Sequence, residues 1–175
     1  VSTNIALTDL FCYNNPLTSL DVSKNTALTT LDCRSNQLTS LDVSTNTALT
    51  TLNCRSNQLT SLDVSKNPAL TYLSCNSNQL TSLDVRNGNN TNLTSFYSTN
   101  NPNLTCIFVD DASYSTTNWT GIDATTTFVN NEAACEALNT TSIPDSNFEL
   151  ALIDLGYDTA PINGSVPTAN ISGVT

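Results

Sequence analysis

Leucine, cysteine, valine and asparagine return to the same slots every 21 positions, with polar residues between them. Leu28, Leu31, Cys33, Asn36, Leu38, Leu41, Val43 and Asn46 are answered by Leu49, Leu52, Cys54, Asn57, Leu59, Leu62, Val64 and Asn67. The stretches from Leu7 and from Leu70 follow the same template. Each period holds two alternations, Leu31-x-Cys33 and Leu41-x-Val43, which turn two apolar side chains inward from a short extended segment. The pattern predicts a flattened coil with a short strand on both sides. One coil cannot shield its own leucines, so successive coils must stack into a mainly β repeat solenoid. Asn36, Asn57 and Asn78, with Asn25, Asn46 and Asn67, fall where the chain turns. Their amides are expected to satisfy backbone groups of the turn and of the adjacent coil.

The beat weakens after Val85, where Arg86-Asn-Gly-Asn-Asn-Thr-Asn is two residues longer than its counterparts and Leu93-Thr-Ser-Phe96 is degenerate. The solenoid is therefore assigned to residues 1–105. Residues 106–135 hold Phe108, Val109, Tyr114, Trp119, Ile122, Phe128 and Val129 without an evident period, and are assigned to a C-terminal cap. The single Trp119 either covers the open end of the last coil or serves as a ligand platform. Residues 136–142 are polar and read as a linker. In 143–175, a helix at about 145–155 is signalled by Ser146 and Glu149 as a capping box and by Gly156 as a stop. Phe148, Ala151, Leu152 and Leu155 share one of its faces.

The nested motif, as in Leu38-Thr-Ser-Leu41-Asp-Val43, resembles the leucine-rich repeat family over 1–104, specifically the 21-residue class of secreted surface proteins of the Bacteroidetes. The resemblance implies recognition, adhesion or assembly, with repeats that are not catalytic, and a secreted, extracellular or cell-surface location. Residues 106–135 resemble the C-terminal cap of that group. The segment around Phe148 resembles the N-terminal cap that opens such a domain, so it is expected to cover the start of a following solenoid. Asp158-Thr159-Ala160 resembles the O-glycosylation signal of that group and implies a glycan on Thr159.

Ile171 and Val174, continued by Val1, Asn4 and Ala6, fill the half-repeat slots of Leu38, Leu41, Val43, Asn46 and Ala48. This predicts that 143–175 is a cap plus the first strand of a next module. The chain would then be one unit of a tandem or head-to-tail array, a fibre at the cell surface whose partners are neighbouring copies. The module interface would comprise Phe148, Leu152, Leu155, Ile171, Val174, Val1 and Asn4. The alternative is an adhesin that binds a host or matrix protein, or a glycan, through its less uniform strand face. That face carries Tyr13, Arg34, Arg55 and Asn76 in one column, and Phe11, Asp32, Asn53, Ser74 and Tyr97 in the next.

Charge narrows the partners. Fifteen acidic residues oppose five basic ones, a net charge of −10, which disfavours nucleic acid and anionic membrane. No apolar run reaches the length of a membrane span. Asp21, Asp42, Asp63 and Asp84 form a column that is either a cation-binding or glycan-binding face or a solvated ladder opposing aggregation. Cys12, Cys33, Cys54 and Cys75 share one slot. Neighbouring coils bring them within reach of each other, but parallel side chains suit a disulfide poorly, so free buried thiols are expected. Cys106 and Cys135 flank a loop-rich segment and suit a disulfide that staples the cap, which implies an oxidising compartment. The chain has no His, no Ser with an identifiable base and no metal-ligand spacing, so neither enzyme activity nor a cofactor is expected.

Overall fold

The apolar alternation is realised as three-residue strands in the computed structural model, which describes residues 3–138 and 140–172. The chain divides into two compact units, 1–130 and 131–175. In the first, the strands are β1 (Asp9–Phe11), β2 (Thr30–Asp32), β3 (Thr51–Asn53), β4 (Ser61–Asp63), β5 (Tyr72–Ser74), β6 (Ser82–Asp84), β7 (Ser95–Tyr97), β8 (Cys106–Phe108) and β9 (Thr127–Val129). Helix α1 (Ala112–Asn118) lies between the last two.

One side of the solenoid is the parallel sheet β1-β2-β3-β5-β7; the other is β4-β6-β8-β9. Leu10, Leu31, Leu52, Leu73 and Phe96 stand opposite one another along the first sheet. Leu28, Leu38, Leu49, Leu59, Leu70 and Leu80 are fully buried between the two sides. At roughly 1.5–3 kcal/mol for each such side chain, this row is the main stabilising term.

The asparagines form the two expected ladders. Asn57 Nδ2 donates to the carbonyls of Cys33 (3.1 Å), Cys54 (3.0 Å) and Arg55 (3.3 Å), and its Oδ1 accepts from Leu38 N at 3.0 Å. Asn36, Asn78 and Asn101 repeat the arrangement. On the second turn, Asn46 and Asn67 donate to the carbonyls of Asn25 and Asn46.

The second side differs from expectation. Its sheet starts only at Ser61, and the segments holding Asp21 and Asp42 stay outside it. Asp21 and Asp42 repel each other, whereas Asp84, opposite Asp63, is neutralised by Arg86 at 2.6 Å. Like charges in register oppose strand pairing, and the paired part begins where a cation relieves them.

The solenoid also runs past residue 105. Strand β8 pairs with β6 and with β9, and Cys106 stands opposite Thr127, again 21 residues on. Residues 106–129 therefore continue the stack; the expected separate cap is a further turn of it carrying α1. The period was hidden because its leucine slots are taken by Ile107 and Phe128, and the slot of Asp84 by Phe108 and Val129. Trp119 does cover the core, stacked on Phe96 and donating from Nε1 to Leu93 O at 3.0 Å.

In the second unit, the presumed linker is ordered secondary structure. Helix α2 (Glu132–Leu138) is followed by β10 (Thr140–Ser142), which pairs antiparallel with β11 (Ser165–Pro167). Good helix formers, Glu and Ala, fill α2, and Asn131 Oδ1 accepts from Ala134 N at its start. Between the strands lies α3 (Ser146–Asp154), and α4 (Thr168–Ile171) follows them.

Helix α3 has the expected span but a different cap. Asp145, not Ser146, is the N-cap, accepting from Asn147 N at 2.9 Å. Glu149 leaves the capping box: it is fully buried and accepts from Asn163 N and Gly164 N at 2.6 and 2.9 Å. Two backbone donors of a tight loop outcompete a reach back to the helix start. Gly156, at φ +78°, ends α3 by the bonds Gly156 N to Ile153 O and Tyr157 N to Leu152 O.

Candidate functional site

Alternation along each strand of the first sheet sends its leucine inward and its two neighbours outward. The outward row nearest the turn is Phe11, Asp32, Asn53, Ser74 and Tyr97. Beyond it comes the column Tyr13, Arg34, Arg55 and Asn76. Ser35, Ser56 and Ser77 then reverse the chain at φ 55–57°, a left-handed conformation that asparagine and glycine adopt more readily. The Asn57 amide, bonded to the carbonyl of Arg55, braces this turn. The interior ladder thereby sets the backbone that carries the outward arginines.

The columns expected to form a ligand face do lie side by side on one sheet. Phe11 is 62% exposed and Tyr97 46%, with Tyr13 and Arg55 also exposed. Arg34 is held within the protein: its Nη1 is 2.9 Å from Asp32 Oδ2 and its guanidinium lies 4.4 Å from the centre of the Tyr13 ring. Arg55 is different. The slot of Asp32 is filled by Asn53, and Arg55 has no carboxylate partner among the described residues. Beside it Tyr72 and Tyr97 sit with ring centres 6.0 Å apart. Arg55, Tyr72, Ser74, Asn76, Tyr97 and Thr99 line a groove of about 300 Å³. Tyr72 and Thr99 escaped the sequence reading; Tyr72 was detectable as an aromatic in the slot of Thr30 and Thr51.

The acidic column on the other side is occupied with the backbone. Asp21, Asp42 and Asp63 accept from the N–H groups of Ser23, Ser44 and Ser65 at 2.9, 2.9 and 2.7 Å. Hydrogen bonds from the Ser23 and Ser44 side chains and backbones hold Asp21 and Asp42 below the usual carboxylate range. Among the described residues, no three His, Cys, Asp or Glu side chains group as metal ligands.

A family model described as Leucine Rich repeats (2 copies) matches residues 47–88. The fold is a leucine-rich repeat solenoid. The chain is similar to the solved structure titled as the functional domain of InlJ from Listeria monocytogenes, which includes a cysteine ladder, at 45% identity and a TM-score of 0.55. The match covers 62% of this chain and 26% of that one. No curated protein matches.

The solenoid has a column of free thiols: Cys33, Cys54 and Cys75 are buried and Cys12 is partly so. Desolvation raises all four pKa values, that of Cys75 to about 12, and the Asp32 charge adds to the rise at Cys12. Cys106 and Cys135 are disulfide-bonded. No helix among the described residues is long and apolar enough to cross a membrane.

The residues expected at a module interface separate into two groups. Phe148 and Leu155 are exposed, at 52% and 70%. Leu152 is buried with Ile143 and Val166, and Ile171 packs against that same cluster. Both are spent on the second unit's own core. Ile171 ends α4 and is helical, not part of a strand; Ala151 is exposed. Asn4 is exposed and its carbonyl accepts from Asn25 Nδ2. Val1 and Val174 lie outside the described residues. Thr159 is exposed, next to the buried Asp158.

Proposed function

We propose that this leucine-rich repeat is an extracellular recognition protein of adhesin type, binding a protein or glycan through the β1-β2-β3-β5-β7 face and carrying out no catalysis. The observation that supports this most is the asymmetry of the two sides. Serines and aspartates recur on one; the other varies from coil to coil and concentrates exposed Phe11, Tyr13, Arg55 and Tyr97. Aromatic and arginine side chains are enriched where proteins make contact. The test compares the chain with a Tyr13→Ala, Arg55→Gln, Tyr97→Ala variant for binding to surfaces coated with purified matrix proteins or mucin. Loss of binding in the variant is expected. Equal retention would overturn the reading.

A second reading, a head-to-tail array of such units forming a surface fibre, is supported by the exposed Phe148 on α3 and the exposed Leu155 at its C-cap. Analytical ultracentrifugation of the chain should then show concentration-dependent oligomers that Phe148→Ser with Leu155→Ser abolishes. A monomer at all concentrations would remove non-covalent assembly. We also propose secretion by a bacterium of the Bacteroidetes type, and a glycan on Thr159, whose loop is exposed. An intact mass equal to that of the bare polypeptide from the native host would remove the glycan.

A further inference from the structure

We propose that the groove between Arg55 and Tyr97 binds a carboxylate-bearing sugar, with Arg55 on the carboxylate and the two tyrosines against the ring. The proposal rests on the recognition-face reading above and names its ligand class.

The argument begins with the arginines. Arg34 and Arg86 each follow an aspartate by two residues and pair with it, at 2.9 and 2.6 Å, and each also lies over an aromatic ring, Tyr13 or Phe108. Arg55 occupies the equivalent position after Asn53, a neutral amide. Among the described residues its guanidinium has no carboxylate partner, in a protein of net charge −10 where carboxylates abound. A planar fork of donors left open in this way suits a carboxylate from outside.

The surroundings choose among the bearers of a carboxylate. Strand β5, which floors the groove, is paired on both sides, with β3 and with β7, so no backbone edge is open for an added peptide strand. Recognition must rest on side chains. Those present are two tyrosines, the Thr99 hydroxyl and the Asn76 amide, with no aliphatic pocket for an apolar anchor. Ser74 Oγ donates to Asn76 Oδ1 at 2.7 Å, which orients that amide and leaves its NH₂ as a donor for the ligand. Aromatic faces flanked by fixed hydrogen-bonding groups match a pyranose ring, which has apolar faces and a hydroxylated rim. At about 300 Å³ the groove suits one or two sugar units.

The test uses the full chain titrated with 3′-sialyllactose and with cellobiouronic acid, each against its neutral counterpart, lactose or cellobiose. Calorimetry and ligand-observed NMR provide the readout. Binding of at least one acidic sugar is expected, with roughly tenfold or greater loss for its neutral counterpart and for Arg55→Gln. Tyr97→Ala should weaken binding, and Lys66→Gln, on the other side of the solenoid, should not. Circular dichroism confirms that each variant is folded. Binding of neither acidic sugar, or binding that Arg55→Gln leaves intact, would overturn the proposal. An aspartate-rich peptide that binds through Arg55 when the sugars do not would also overturn it while keeping the recognition face; unchanged adhesion in the triple variant would remove the face itself.

Discussion

The Trp119 indole stacks on Phe96 with ring centres 4.6 Å apart and planes 18° from parallel. Phe128 meets it edge-on at 5.6 Å, so three aromatic rings close the core where leucines run out. Replacing Trp119 with Ala should destabilise the solenoid by about 3–5 kcal/mol. Trp119→Phe, which keeps much of the ring area but loses the bond to Leu93 O, should cost about 1–3 kcal/mol. Denaturant unfolding would measure both, and equal costs for the two variants would contradict the stacking account.

Gly121 lies against the backbone of Phe96 and Tyr97 and the Tyr97 ring. A Cβ added there would sit 2.5 Å from Phe96 O and 3.0 Å from the Tyr97 ring, and the first of these is backbone that cannot yield cheaply. Gly121→Ala should therefore cost about 1–3 kcal/mol. It should also break the bond from Ser98 N to Gly121 O, seen as lost amide protection at Ser98.

Asn57→Ala would strand Leu38 N and remove a donor from the carbonyls of Cys33 and Cys54, all in the interior. Each buried group left unpaired costs about 1–3 kcal/mol. Cys33 O and Cys54 O keep Asn36 and Asn78 as donors, so a loss within that range, from Leu38 N, is expected in the denaturant midpoint. A near-neutral variant would show that water replaces the amide.

The thiol column should be inert while folded. Cys33, Cys54 and Cys75 are buried with raised pKa values, so a maleimide at neutral pH should modify only partly buried Cys12, and that slowly. In denaturant all four should react, and Cys106 and Cys135 only after reduction. Rapid native labelling of all four would refute the packing described.

Acid should weaken the protein through its aspartates. The pKa values of Asp21 and Asp42 are lowered in the fold by hydrogen bonds from Ser23 and Ser44, so the unfolded chain takes up protons at higher pH than the folded one. Their contribution is complete above the ordinary carboxylate pKa of about 4 and is lost as pH falls through the lowered values. Asp21→Asn with Asp42→Asn should flatten the fall in denaturant midpoint below that pH. An unchanged acid limb would show that other carboxylates set it.

The one-dimensional part of this protein was legible in its residues. A coil touches only its neighbours, so a contact 21 residues away is the same contact in every turn, and the repeated Leu, Cys and Asn slots state directly what packs where. The columns of Tyr13, Arg34 and Arg55 and of Phe11 to Ser74 follow from that arithmetic alone, and Tyr97, 23 residues after Ser74, joins once the two extra residues after Arg86 are counted. Three outcomes needed the folded chain. The last turns kept their register with Ile107 and Phe128 in leucine slots, because an aromatic cluster fills the same space by a different shape. Glu149 turned from the helix start to the Asn163–Gly164 loop, and Leu152 and Ile171 closed a core of their own, because a small unit must satisfy itself from residues distant in sequence. Arg55 was left open by the single exchange of an aspartate for Asn53, a difference visible in the sequence whose consequence depends on which side chains stand near it across the sheet.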